Sequence, residues 1–138
     1  MTAIKDENDV RNAIVKTALT YGVMLWRNNS GALRDARGKF VRFGLGNISK
    51  KANDEFKTSD LIGIGPDGTF WAIEVKKPDW KPGATAVKAQ TEAAQQRFLD
   101  IVVSKGGVGF FASSVEQAVA EFDKRYPKKQ RKIVRRVA

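Results

Sequence analysis

The chain has 138 residues, 42% of them hydrophobic, enough for one domain with a real core. It contains no cysteine and no histidine, which excludes disulfides, thiolate or imidazole metal sites, and every Ser-His or Cys-His catalytic arrangement. The same absence leaves oxygen-bound Mg²⁺ or Mn²⁺ as the metals to expect, and a net charge of +10 points to a polyanionic partner, nucleic acid first and an anionic membrane surface second.

No apolar run approaches the ~20 residues of a membrane helix, and the opening M-T-A-I-K-D-E-N-D lacks a signal-peptide pattern. A cytoplasmic protein with no membrane partner is expected. Residues 6–21 predict a helix, because Val10, Ile14, Thr17/Ala18 and Tyr21 recur at helical spacing. Asp6, Glu7 and Asp9 suit the positive end of its dipole. Glu7 stands one turn before Val10 on the inward stripe, either as an ordinary first-turn acid or as a group turned toward a site. Gly22 ends the helix, and V-M-L-W (23–26) reads as a strand entering a sheet.

Residues 27–57 are the least regular stretch. Phe40 to Phe43 alternates like a strand, and the remainder, rich in Gly, Asn, Ser, Lys and Arg, reads as long surface loops. These loops offer Arg27, Arg34, Arg37, Lys39, Arg42, Lys50, Lys51 and Lys57, either as solvated charge or as phosphate contacts.

Residues 58–76 carry the chemistry. T-S-D-L-I-G-I and T-F-W-A-I-E-V-K flank a Pro66-Asp67-Gly68 turn, a β-hairpin pattern with Gly68 closing a three-residue loop. That loop pairs Gly65 with Thr69, Ile64 with Phe70, Ile62 with Ala72 and Asp60 with Glu74. Lys76 then falls on the same face. Opposed residues have Cβ atoms roughly 5 Å apart, and like charges there destabilise a sheet. A divalent cation is the simplest compensation. The alternative places Asp60 and Glu74 in solvent on an edge hairpin. Against it, both faces of the hairpin are apolar, as in covered strands, where unpaired carboxylates are costly.

A Pro/Gly connection follows, bearing Lys77, Trp80 and Lys81, and then a helix over residues 85–104 with the stripe Val87, Thr91, Ala94, Phe98 and Ile101, bordered by Gln95. V-G-F-F-A (108–112) predicts a buried strand. Ser113 and Ser114, with Glu116 and Gln117, cap a last helix that Pro127 stops. The domain therefore ends near residue 126. Residues 127–138 form a basic tail with Lys128, Lys129, Arg131, Lys132, Arg135 and Arg136, either solvated or laid along a nucleic-acid backbone.

Taken in order, a helix bearing Glu7, R-N-N-S-G (27–31), V-R-F-G (41–44), S-D-L-I-G-I (59–64), I-E-V-K (73–76), Q-x-x-F-L (95–99) and G-G-V-G-F (106–110) resemble the VRR-NUC (virus-type replication-repair nuclease) domain in its stand-alone phage form. The resemblance covers roughly residues 6–114. It implies an α/β fold of the PD-(D/E)xK, restriction-endonuclease-like class, a central mixed β-sheet flanked by helices in the order α-β-β-β-α-β-α. It also implies metal binding by Asp60, Glu74 and the Val75 backbone carbonyl, a catalytic Lys76, a motif Gln95, and Glu7 as the glutamate of the N-terminal helix. Ser59 replaces the motif proline, and residues 47–58 are longer than the short connection common in the family.

The resemblance further implies a Mg²⁺- or Mn²⁺-dependent endonuclease acting on branched DNA such as Holliday junctions, as a homodimer in a phage-infected bacterial cytoplasm. Arg27, Arg42, Lys77, Lys128, Lys129, Arg131 and Lys132 would meet the DNA. Two rivals remain: a non-catalytic basic nucleic-acid-binding module, and a nuclease directed at RNA.

Overall fold

Asp6 starts the first helix by accepting the Asp9 backbone N–H, while the Asp9 side chain accepts the Asp6 N–H in return. The structure, a computed structural model, describes residues 3–128. In chain order it contains α1 (Glu7–Thr20), β1 (Met24–Arg27), β2 (Gly31–Arg34), β3 (Phe40–Phe43), α2 (Lys50–Glu55), β4 (Leu61–Ile64), β5 (Phe70–Val75), α3 (Ala86–Ser104), β6 (Val108–Ala112) and α4 (Val115–Arg125).

Four strands make a mixed sheet in the order β1-β4-β5-β6, antiparallel through β5 and parallel between β5 and β6. A parallel pair needs a long crossover, and α3 supplies it. The chain is thus a mixed α/β fold whose central sheet is flanked by helices. Val10, Ile14 and Ala18 of α1 and Ala118 and Phe122 of α4 pack with Leu61, Trp71, Ile73 and Val75 on one face. On the other face Leu99 and Val102 of α3 cover Ala72, with Phe98 and Phe111 alongside.

The hairpin has the register its turn demands. Leu61 pairs with Ile73, Ile62 with Ala72, Gly63 with Trp71 and Ile64 with Phe70. Gly65 N–H donates to the Thr69 carbonyl at 2.8 Å, and Gly68 sits at φ 83°, the left-handed residue of the loop. The hairpin is central rather than at an edge, since β1 and β6 flank it. Its turn is tied down by α4: Tyr126 Oη donates to Asp67 Oδ1 at 2.6 Å and accepts from Trp71 Nε1 at 3.2 Å.

Three expectations need correction. Residues 31–34 are a strand, not a loop: β2 and β3 form a separate two-stranded ribbon that leaves Leu33, Phe40, Val41 and Phe43 exposed. β3 is the strand that the alternation of Phe40 to Phe43 predicts, whereas β2, standing off the core, has no buried face for periodicity to betray. Residues 50–55 form α2, capped by Ser49 and closed by Arg97, whose guanidinium donates to the Glu55 and Asp54 carbonyls at 2.7 and 3.3 Å. The buried stripe of α3 is Ala94, Leu99 and Val102, while Val87 is 74% exposed and Ile101 38%. The first turns of α3 are solvent-facing or only partly covered, so apolar spacing there is not matched by burial.

Candidate functional site

Asp60 precedes β4 and Glu74 lies next to last in β5, so the hairpin register sets them opposite each other. Each is held by the other's strand. Asp60 N–H donates to Glu74 Oε2 at 3.1 Å, and Val75 N–H donates to Asp60 Oδ2 at 3.1 Å. Glu74 is 5% exposed, whereas Asp60 is half-buried. Burial, and next the charge of Asp60, push the Glu74 carboxyl up to about 8, with Lys76 opposing.

Lys76 and Gln95 complete the cluster. Gln95 Nε2 donates to Glu74 Oε1 at 2.8 Å, while Gln95 Oε1 accepts from Lys76 Nζ at 3.0 Å. The lysine nitrogen lies 4.0 Å from Glu74 Oε1. It also stands 5.7 Å from the Trp80 ring centroid and 5.6 Å from that of Phe111, within cation–π range. Asp60, Glu74, Lys76 and Gln95 therefore come together on the α3 face of the sheet.

Asp60, Glu74 and Gln95 line a cavity of about 280 Å³, together with Arg27, Asn28 and Ser30 from the end of β1 and Asn53 and Lys57 from α2 and its exit. Asn28 braces this wall. Its amide donates to Thr58 Oγ1 at 2.9 Å and to the Ser59 carbonyl at 3.0 Å, and its own N–H donates to the Asp60 carbonyl at 2.7 Å. Asn28, Ser30 and Asn53 are site residues that sequence reasoning did not single out. R-N-N-S-G held the only signal, amides crowded at a strand end. Asn53 lies on α2, a short helix with no buried residue to mark it in the sequence.

Other expected residues lie apart. Glu7 is paired with Arg11 at 3.3 Å and lines a second cavity beside Lys76. Arg27 opens on the first cavity and Lys77 on the second. Arg42 belongs to the ribbon, half-buried, hydrogen-bonded to Asn47 Oδ1 at 3.3 Å and 5.2 Å from the Phe40 ring centroid. Lys128 is exposed. Lys129, Arg131, Lys132, Arg135 and Arg136 lie outside the described residues.

The donor set suits a hard cation. Mg²⁺ keeps several of its waters and needs only one or two carboxylates besides substrate phosphate. Among the described residues no group of three or more Asp or Glu side chains is gathered to hold a metal ion, so only the Asp60–Glu74 pair is available here. Glu74 is also a carboxylate that burial and Asp60 make costly to ionise, and a cation beside it would offset that cost. No protein-family model matches the chain, and comparison with curated proteins and with solved structures finds no match.

Proposed function

We propose that this chain is a metal-dependent, structure-specific DNA endonuclease of the VRR-NUC type with a restriction-endonuclease-like core. The observation that carries the reading is the hydrogen-bonded chain Lys76–Gln95–Glu74 set against Asp60, with Asp60, Glu74 and Gln95 opening on a cavity lined by polar side chains. Asp60 and Glu74, with the Val75 carbonyl, would hold Mg²⁺ or Mn²⁺. When bound, the cation supplies charge neutralisation at the scissile phosphate and lowers the pKa of an attacking water.

The chain's own residues do the rest. Gln95 holds the Glu74 carboxylate and the Lys76 ammonium in fixed relation, so that both face one phosphate. Lys76 stabilises charge developing on the phosphate oxygens and orients the water. Glu7, on α1, is assigned as a further acid beside Lys76 on the second cavity, where Arg11 pairs with it. Arg27 and Lys77, on either side of the cluster, and Arg42 on the ribbon contact the DNA backbone, with the cations of the tail adding to them.

Branched DNA, four-way junctions in particular, is the substrate we assign, with a second copy of the chain as partner, because paired nicks require two sites related by symmetry. The sheet offers a surface for that copy: Met24, Ile64 and Phe70 lie opposite one another on three adjacent strands, 50%, 46% and 43% exposed, beyond the cover of α3. Among the described residues no helix is long and apolar enough to cross a membrane. Incubating labelled linear, flap and four-way DNAs with Mg²⁺, Mn²⁺ or EDTA tests the reading. Binding without metal-dependent cleavage would replace it with a non-catalytic DNA-binding module, and cleavage confined to RNA would replace the substrate class.

A further inference from the structure

The loop between β5 and α3 builds a second cavity, of about 510 Å³, against Lys76. Lys77-Pro78-Asp79-Trp80 is a tight turn: Trp80 N–H donates to the Lys77 carbonyl at 3.1 Å, and Asp79 sits at φ 63°. A proline followed by a left-handed residue is the type II pattern. Further on, Gly83 N–H donates to Glu92 Oε1 at 2.7 Å, which fastens the loop to α3.

This turn fixes Trp80. Its ring stacks on Phe111 with centroids 5.4 Å apart and planes 15° from parallel, so one face of the indole is covered. Trp80 lines the cavity, with Lys76 Nζ 5.7 Å from its ring centroid. Lys77, Lys81 and Lys88 line the same space, and among the described residues none of the three is ion-paired. Three acids line it beside four lysines: Glu7 is paired with Arg11, Glu92 is spent on the Gly83 N–H, and Asp79 is exposed at the turn. An aromatic platform among unpaired lysines is the recipe for single-stranded nucleic acid: bases stack on the ring and phosphates meet the cations.

We propose that this cavity is a subsite for an unpaired strand of the DNA, with a base stacked on Trp80 and the adjoining phosphates on Lys77 and Lys81. The inference deepens the nuclease reading and rests on it, because Lys76 lines this cavity while Glu74 and Gln95, to which it is linked, line the other. A strand crossing Lys76 would present its scissile phosphate to one cavity and an unpaired base to the other. The subsite thus gives the enzyme a reason to prefer junctions, flaps and frayed ends over continuous duplex.

The test is binding in EDTA, where no cleavage intervenes. Fluorescence anisotropy compares a blunt duplex with the same duplex bearing a short single-stranded extension that carries 2-aminopurine. The wild-type protein should favour the extended DNA, and W80A should lose that preference by roughly tenfold or more. W80F should keep most of it, and blunt-duplex affinity should be alike in all three. Quenching of the 2-aminopurine on binding should follow the aromatic side chain. Equal binding of the extended DNA by wild type and W80A would overturn the subsite, as would a loss in W80A that is just as large on blunt duplex. Those outcomes are separate from the fate of the nuclease reading, which fails on absence of cleavage by the wild-type protein with Mg²⁺ or Mn²⁺.

Discussion

Asp60 and Glu74 hold each other in place through backbone: the Asp60 N–H reaches Glu74 Oε2 at 3.1 Å, and Asp60 Oδ2 takes the N–H of Val75, the residue after Glu74, at the same distance. The two acids are therefore positioned by the β4–β5 ladder itself, before any ligand arrives. Positioning of this kind is what a site that must gather a cation and a phosphate requires.

Glu74 makes the protein sensitive to pH. Its carboxyl, ordinarily near 4.5, is pushed up to about 8, first by burial and then by Asp60. The unfolded chain therefore gives up this proton at lower pH than the folded chain does. Without a cation, stability falls as pH rises from about 4.5 to about 8 and then levels off. Glu74→Gln should raise the melting temperature in EDTA at pH 8, by about 3 °C or more, with the gain fading toward pH 5. Added Mn²⁺ should stabilise the wild-type protein and leave Glu74→Gln unmoved. A pH-independent difference between the two proteins would contradict the account.

Gln95 is placed to matter more for turnover than for folding. Its amide is the link between Glu74 Oε1 and Lys76 Nζ. Gln95→Ala should lower kcat by about 10- to 100-fold with DNA affinity in EDTA little changed, since it unfixes the lysine without removing a cation. An equal loss of binding would place Gln95 in DNA recognition instead.

Much of this arrangement was legible in the residues, and the reasons are local. Pro66-Asp67-Gly68 admits few loop geometries, and the geometry it takes fixes which residues oppose each other, down to Asp60 and Glu74. The helices α1, α3 and α4 announced themselves through Asp6, Thr85 and Ser114, each of which accepts a backbone N–H at its own helix start. β3 was legible from the alternation of Phe40 to Phe43, whereas β2 and α2 were not, because neither buries an apolar face: Leu33 stays exposed, and α2 contains no buried residue. The wall of the cavity was hidden for a related reason. Asn28 and Asn53 become neighbours of Glu74 only through tertiary packing, which spacing along the chain does not encode.

The hairpin turn should be vulnerable in acid. Burial of Asp67 works against its ionisation, but hydrogen bonds from Tyr126 Oη and from Thr69 outweigh it and hold the carboxyl at about 2, below the usual 3.8. A depressed carboxyl stabilises above pH 3.8 and loses that contribution as pH falls toward 2. Because Asp67 is substantially exposed, the effect is screened, and Tyr126→Phe should cost about 1 kcal/mol at neutral pH, less near pH 2. Urea titrations at pH 7, 4 and 2 measure it. A cost that does not shrink in acid would mean that packing on Trp71, rather than the bond to Asp67, is what Tyr126 contributes.

The basic tail should show itself in salt dependence. If all six of its cations meet phosphates, deleting residues 128–138 lowers the slope of log affinity against log salt by about 5. An unchanged slope would remove the tail from the DNA interface and leave Arg27, Arg42 and Lys77 to carry it.

The central claim is that Asp60, Glu74 and Lys76 form a metal-assisted phosphodiesterase site, and cleavage of a labelled four-way junction by the wild-type protein, Glu74→Ala and Lys76→Ala tests it most directly. The account predicts cutting by the wild type with Mg²⁺ or Mn²⁺, none in EDTA, and a loss of at least about 100-fold in each variant while junction binding in EDTA persists. Cutting that continues in EDTA, or that survives both substitutions, would contradict it.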